Sequence, residues 1–213
     1  MIKVEKFLMP LGMIGVLVYI VFVILGDLLW EAYDPITMDI SSLTAVGAPN
    51  AELLKILSSI YGICVILFVM GMVIKSFRIY NRTTKIGYMV LLVMELVSLF
   101  GYGLFPLEGD KTVMTFQNMM HIIVTVIVVL TTIVFGFIVA AGYKKYNATR
   151  KLGRFVFVMA IVITLTGVIN PIGMNAGWNI LGVTERFVIF SVQVLIFYLS
   201  FYYTFNKEKL VLD

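Results

Sequence analysis

Residues 9–30 read MPLGMIGVLVYIVFVILGDLLW, an apolar run in which Asp27 is the only charged residue. About 20 mostly apolar residues are enough for an α-helix to cross a bilayer. The run is longer than the apolar core of a signal peptide, and no small-residue cleavage site follows it. We therefore expect a membrane span that remains part of the protein.

Further apolar runs of the same kind follow along the chain, and their continuity excludes the alternating strands of a membrane β-barrel. Hydrophobic residues make up 61% of the 213 residues and charged residues 13%, whereas a soluble domain is about 25% charged. We predict an all-α integral membrane protein in which residues 1–213 form one domain. The predicted spans are 9–30, 53–74, 86–105, 116–142, 152–170 and 185–205.

Basic residues lie mostly on one side of these spans. Of the 16 lysines and arginines, all but Lys55, Lys111 and Arg186 fall in the two terminal segments or in the loops after spans two and four. Such an excess marks the cytoplasmic side, so we predict a prokaryotic inner-membrane protein with both termini in the cytoplasm. Basic loops of this kind are ordinary topology signals. We expect membrane lipids and no nucleic acid as partners, and the sequence leaves a homo-oligomer open.

A short motif occurs twice, as YNRTTKIG at 80–87 and YNATRKLG at 146–153. The last glycine of each copy is followed by a second glycine at the same spacing, and span one carries a similar pair. Small residues allow membrane helices to approach closely. We predict three helical hairpins (spans 1–2, 3–4 and 5–6) arranged as a parallel repeat. The glycine pairs are Gly12 and Gly26, Gly87 and Gly101, and Gly153 and Gly167.

Polar residues collect toward the outer ends of the predicted spans, where helix spacing places several of them on shared faces. If these faces point toward the bundle axis, they line a cup that opens outward. The first outer loop, residues 31–52, is long enough to cover that cup as a lid, and long ordered loops are often functional. Two sets share a face: Gln117, His121 and Thr125, and Arg186, Gln193 and Ser200.

The cup would suit an anionic ligand. Arg186 can hold a phosphate or carboxylate through two hydrogen bonds, and His121, the only histidine, can add a third contact. Asp27, Gln117 and Asp39 are further candidate ligand-binding residues. The alternatives are structural: Arg186 paired with Asp27 or Asp39, and His121 hydrogen-bonded to a neighbouring helix.

An enzyme is a second interpretation. Ser41 as nucleophile, His121 as base and Asp39 or Glu185 as the orienting acid would supply the parts of an acyl-transfer site. No Gly-x-Ser-x-Gly motif surrounds Ser41, and Ser41 or Ser42 can equally cap a short helix.

Metal and cofactor chemistry is not predicted. One histidine and one cysteine, Cys64, do not make a zinc site, because catalytic zinc usually has three protein ligands. Magnesium or calcium bound by carboxylates alone stays open, although the same residues are typical of a solvated acidic rim. These carboxylates are Asp34, Asp39, Glu108 and Asp110.

Glu95 lies near the middle of span three with no basic residue at its depth, and Ser98 and Tyr102 follow on the same face. Ionisable residues inside a membrane are rare and often functional. A neutral glutamate hydrogen-bonded inside the bundle and a proton-coupling carboxylate of a small transporter are both compatible with this position.

Several short motifs occur in a defined order along the chain. They are YDP at 33–35, DISSL at 39–43, GAPN at 47–50, Phe105-Pro106, His121 and GVTER at 182–186. In this order the sequence resembles, over nearly its whole length, the prokaryotic six-span membrane proteins grouped as domain of unknown function 998. The resemblance implies a six-helix inner-membrane fold and functional interest in Asp39, Ser41, His121, Glu185 and Arg186, and it implies no activity.

Three functions from different classes follow from these residues. The first is a protein that binds a lipid or other amphiphile in the outward cup, with Arg186 and His121 at the head group. The second is an outer-leaflet hydrolase or acyl-transfer enzyme that uses Ser41. The third is a small transporter that couples transport to protonation of Glu95 or His121.

Overall fold

The computed structural model describes residues 3–109 and 113–206. In that part of the chain, six helical segments are long and apolar enough to cross a membrane. The protein is therefore an integral membrane protein with six spans, as predicted. The helices are α1 (Lys3–Leu8), α2 (Leu11–Leu28), α3 (Ala51–Ile79), α4 (Arg82–Leu104), α5 (Phe116–Tyr143), α6 (Arg150–Asn175) and α7 (Leu181–Phe205), with a short 3-10 helix at Ile40–Thr44.

The helix of the first span is broken at residues 9–10, where the predicted span begins. Pro10 has no backbone N–H and its ring disfavours a continuous helix, so α1 ends at Leu8 and α2 begins at Leu11. The hydroxyl of Ser200 in α7 lies at this break. It donates to the Met9 carbonyl at 2.5 Å and accepts from the Met13 N–H at 2.9 Å. A side chain from the last span thus completes the backbone hydrogen bonding of the first.

Each spanning helix packs against the next one in sequence, and α2 also packs against α7, so the helices form a closed ring. A large core of buried apolar residues runs through it, including Phe68, Leu91, Phe135 and Leu195. We call the end that carries Leu11 and Phe205 the terminal end. The other end carries the first loop, residues 29–50, and we call it the loop end.

A second, smaller core lies at the loop end. Tyr33, Ile40 and Leu43 of the first loop pack with buried residues of α2 and α3. Leu43 is fully buried, and a Cβ placed on Gly26 would lie 2.6 Å from its Cδ1. The glycine therefore makes room for the loop, which packs into the bundle rather than lying loosely over it.

The matching glycines of the predicted repeat do not have matching neighbours. Gly87 and Gly101 of α4 contact α5, and Gly153 and Gly167 of α6 contact the same helix, α5. In a repeat of hairpins, the glycines of α6 would instead face α7. Gly12 contacts α3 and α7. The hairpin repeat therefore remains a prediction from the sequence.

Helix ends extend beyond several predicted boundaries. The last helix begins at Leu181, four residues before the predicted start, so Glu185 and Arg186 lie one turn inside it. The fifth span continues through Pro171 to Asn175, whose side chain donates to the Pro171 carbonyl at 3.1 Å. The amide of Asn175 thus satisfies a carbonyl near the end of the helix.

Candidate functional site

The first loop is attached to α7 by the guanidinium group of Arg186. Nη1 donates to the backbone carbonyls of Pro35 at 2.8 Å, Met38 at 3.1 Å and Gly182 at 2.9 Å. Nη2 donates to the Tyr33 hydroxyl at 2.7 Å. All four acceptors are neutral oxygens. None of these contacts to the loop and to α7 is therefore an ion pair.

The acidic side chains of the candidate site also bind the backbone of this loop. The Asp39 carboxylate accepts from the Ser42 N–H at 3.0 Å and from the Ser42 hydroxyl, which caps the 3-10 helix. Glu185 Oε2 accepts from the Ile40 N–H at 2.6 Å. The Tyr33 hydroxyl donates to the Asp39 carbonyl at 2.9 Å, and burial raises the Tyr33 pKa to about 12. The phenol therefore stays neutral at physiological pH.

The loop lies unusually close to the first turn of α7. A Cβ on Gly182 would overlap the carbonyl oxygens of Pro35 and Met38, the same two that accept from Arg186. Beside it, the Val183 N–H donates to the Ile36 carbonyl at 3.2 Å. Glycine is required here because the loop backbone occupies the space of any side chain.

The opposite edge of the first loop is attached to the segment between α4 and α5. Val46 N–H donates to the Leu107 carbonyl at 2.8 Å, and Val46 forms an isolated parallel bridge with Glu108. The Asn118 side chain supports this segment by accepting from the Glu108 N–H at 2.8 Å and donating to the Glu108 carbonyl at 2.9 Å. The first loop therefore crosses the loop end and is held on both sides.

Gln117, His121 and Thr125 share one face of α5, and this face contacts the end of α4. His121 is buried, and its ring centre lies 5.0 Å from that of Tyr102. The structure thus shows a polar contact between adjacent helices at the position of the predicted cup wall. The hydrogen bonds join Gln117 Nε2 to the Leu104 carbonyl at 3.3 Å, His121 Nδ1 to the Phe105 carbonyl at 2.8 Å, and the Tyr102 hydroxyl to Thr125 Oγ1 at 3.2 Å.

A cluster of polar side chains lies inside the ring of helices, farther from the loop end. Glu95 is 3% exposed and Gln193 is 4% exposed. Gln193 Nε2 donates to the Tyr61 hydroxyl at 2.8 Å, and Tyr61 is close enough to Glu95 for an electrostatic interaction. The Tyr61 ring contacts that of Tyr19 in a tilted arrangement, with centres 4.7 Å apart. Side chains from α2, α3, α4 and α7 therefore form one polar cluster within the membrane region.

A groove of about 450 Å³ lies between α6 and α7. Its lining residues are apolar except for Ser191 and Arg186, the one charged residue among them. Arg186 lies toward the loop end, and Val194 and Met159 lie near the middle of their helices. The groove thus joins a cation to an apolar surface facing the membrane. Its lining residues are Met159, Val183, Arg186, Phe187, Phe190, Ser191 and Val194.

The remaining candidates have ordinary surroundings. Asp27 is exposed at the end of α2. The Ser41 carbonyl accepts from the Thr44 hydroxyl at 3.3 Å, while Ser42 rather than Ser41 donates to the Asp39 carboxylate. The roles of Ser41, His121 and Asp39 in catalysis therefore remain predictions.

The acidic residues were predicted as possible partners of Arg186 or of a metal ion. Within residues 3–109 and 113–206, the ion pairs are Lys55–Glu52 and Arg78–Glu5, so neither Asp27 nor Asp39 pairs with Arg186. Backbone and hydroxyl hydrogen bonds from Ile36 and Thr37 lower the pKa of Asp34. The same ranges contain no group of three histidine, cysteine or acidic residues placed to hold a metal ion. Asp110 and Lys111 lie outside them.

A chain of tyrosine hydroxyls at the terminal end was missed by the sequence analysis. Tyr88 contacts Tyr143 at 2.5 Å, Tyr143 contacts Tyr203 at 2.5 Å, and Tyr203 contacts Tyr80 at 2.8 Å. Tyrosines near span ends are usually interface anchors, so the sequence does not suggest a buried network. A network could have been predicted from the position of these tyrosines within apolar helices, since a buried phenol needs a hydrogen-bond partner.

Comparison with known protein families gives a match over most of the chain. A profile described as "Protein of unknown function (DUF998)" matches residues 13–202. No curated protein and no solved structure matches the chain. The match contains the middle four spans, most of the first and last spans, the first loop and the loop-end residues described above.

Proposed function

This chain belongs to the DUF998 family, and from that premise we propose that it binds an anionic amphiphile, such as a membrane lipid, in the groove between α6 and α7. The observation that carries the proposal is the position of Arg186, the one charged group in the lining of an otherwise apolar groove. A lipid has the same division into a charged head and apolar tails.

The hydrogen bonds of Arg186 leave it able to bind an anion. Three carbonyls share the two protons of Nη1, and Tyr33 accepts one of the two protons of Nη2. The second Nη2 proton and the Nε proton are not used by the described residues. Arginine donors bind phosphate and carboxylate oxygens strongly because both partners are charged. The loop contacts fix the orientation of the side chain and so reduce the entropy lost on binding.

The apolar part of the groove suits a tail. Eight residues separate Arg186 from Val194 on α7, which corresponds to about 12 Å along the helix. The volume of about 450 Å³ lies within the range of about 300–1,000 Å³ common for ligand sites. Because the groove opens sideways between two spans, an amphiphile can enter it from the bilayer.

Filling the groove should remove the bound lipid. In Val194→Trp we expect loss of the anionic lipid that co-purifies with the wild type, measured by native mass spectrometry after gentle detergent extraction. Val134→Trp is the matched control, because Val134 on α5 is 46% exposed and Val194 is 51% exposed. The control should keep the lipid, and both variants should melt within a few degrees of the wild type.

Arg186→Gln should bind anionic and zwitterionic lipids equally, because the charge that distinguishes them is gone. Equal anionic lipid on wild type and Val194→Trp would contradict the proposed groove. Lipid retained without any preference for negative head groups in the wild type would contradict the role of Arg186.

We also propose that the loop end faces outward from a prokaryotic inner membrane and that the termini are cytoplasmic. The basic residues at the α3–α4 and α5–α6 connections and the adjoining helix ends support this orientation. They are Lys75, Arg78, Arg82, Lys85, Lys144, Lys145, Arg150, Lys151 and Arg154. In a Cys64→Ser background, Ile36→Cys in the first loop should react with a membrane-impermeant maleimide in intact cells. Asn147→Cys, between α5 and α6, should react only after the membrane is permeabilised. The reverse pattern would overturn the orientation.

A further inference from the structure

We propose that Glu95, Tyr61 and Gln193 enclose a hydrated internal site in which the Glu95 carboxyl group binds and releases a proton. The proton passes between a carboxyl oxygen and an adjacent water molecule, so a neutral acid plus water is exchanged for a carboxylate plus hydronium. The site is distinct from the groove, because it lies inside the ring of helices.

Two buried polar side chains in this cluster have hydrogen-bonding capacity that the protein does not use. Gln193 Oε1 has no hydrogen-bond partner among residues 3–109 and 113–206. Glu95 is 3% exposed, and no hydrogen bond or ion pair joins its carboxyl group to another residue of those ranges. Buried polar groups of folded proteins nearly always have a partner. Two such groups near one tyrosine therefore indicate a small polar guest.

Water satisfies the geometry of this site. Tyr61 accepts the Gln193 N–H, which leaves the phenolic proton for donation, while Gln193 Oε1 and the Glu95 oxygens can accept. A buried water typically makes about three hydrogen bonds, and one donor with several acceptors supplies them. A protonated Glu95 adds a second donor. The described residues near Glu95 place no cation beside it, so a proton is the simplest means of neutralising the charge.

The titratable groups around Glu95 come from several helices. Tyr61 is the titratable group of α3 beside it. Tyr102 of α4 lies toward the loop end, within electrostatic range of Tyr61, and its ring contacts the His121 ring of α5 with centres 5.0 Å apart. The Tyr19 ring of α2 contacts the Tyr61 ring.

Infrared difference spectroscopy tests the proposal on the full-length protein in lipid nanodiscs. We expect a protonated-carboxyl C=O band in acidic buffer that disappears in alkaline buffer and shifts in D₂O, since the proton exchanges with water. Glu95→Gln should lose the band, and it keeps the size of the side chain. Glu52→Gln, which changes an exposed carboxylate, should keep it.

Gln193→Leu should shift the band to higher frequency, because the hydrated network around the carboxyl group is weakened. The wild-type protein alone can refute the proposal, whether or not any variant folds. A wild-type spectrum without a titrating carboxyl band would overturn it, as would a band insensitive to D₂O. A band suppressed by sodium at constant pH would identify a metal cation rather than a proton as the guest and would also overturn it.

Discussion

Arg186→Ala is expected to lower the free energy of unfolding by about 3–5 kcal/mol, because it removes hydrogen bonds from a charged group to four oxygens. Two of these oxygens are backbone carbonyls of the first loop, at Pro35 and Met38, and a third, at Gly182, belongs to α7 itself. The change also leaves the hydroxyl of the buried Tyr33 without its donor. Chemical denaturation in mixed detergent micelles measures the global effect.

Hydrogen–deuterium exchange locates the effect of this substitution. Amide exchange across residues 33–40 should accelerate strongly in Arg186→Ala, while exchange in the middle of α3 should not change. Arg150→Ala is the control, since Arg150 is exposed and surface substitutions usually change stability by about 0.5 kcal/mol or less. Arg186→Lys should resemble the alanine variant, because one ammonium cannot reach all four acceptors. Unchanged exchange across 33–40 would refute the attachment.

Gly182→Ala is expected to destabilise the protein by about 2–3 kcal/mol, near the upper end of the usual cost of overpacking. The added methyl group overlaps two backbone carbonyls of the first loop, at Pro35 and Met38. Backbone at this position cannot rotate away as a side chain would. The overlap is removed only if the loop moves away from α7, and this movement also stretches the Arg186 hydrogen bonds. The thermal midpoint and exchange across 33–40 measure both consequences.

Gly103→Ala is the matched control for this prediction. A Cβ on Gly103 meets no atom within 4 Å, and alanine in a helix is favoured over glycine by about 0.5–1 kcal/mol. The control should therefore be neutral or slightly stabilising. If Gly182→Ala and Gly103→Ala change the stability by the same amount and in the same direction, close packing at Gly182 is not the cause of the destabilisation.

The spans could be predicted from the sequence because a helix that crosses the bilayer must be apolar along its length. Each predicted segment lies within or overlaps a spanning helix. The break at Pro10 could have been expected from the missing N–H. The hydrogen bond by which Ser200 satisfies the backbone at this break could not be expected, since it joins residues 191 positions apart. The predicted heptad spacing does place Gln193 and Ser200 on a buried face.

The sequence predicted which residues belong to the candidate site but not which atoms they contact. Arg186, Glu185 and Asp39 were selected as charged groups near a membrane surface, for which ligands or opposite charges are the usual partners. In the structure all three bind the backbone of the first loop. Backbone carbonyls and N–H groups occur at every position, so no sequence pattern indicates which of them a side chain will bind.

The dependence of the first loop on α7 has a consequence for biosynthesis. Ile40 and its acceptor Glu185 are 145 residues apart, and ribosomes add about 5–20 residues per second. The loop therefore leaves the ribosome on the order of ten seconds before the helix that holds it has been made. During that interval the nascent chain carries an unattached loop and an uncompleted break at Pro10. Insertion of the last helix completes both, so chains truncated before α7 should be recognised as incomplete by membrane proteases.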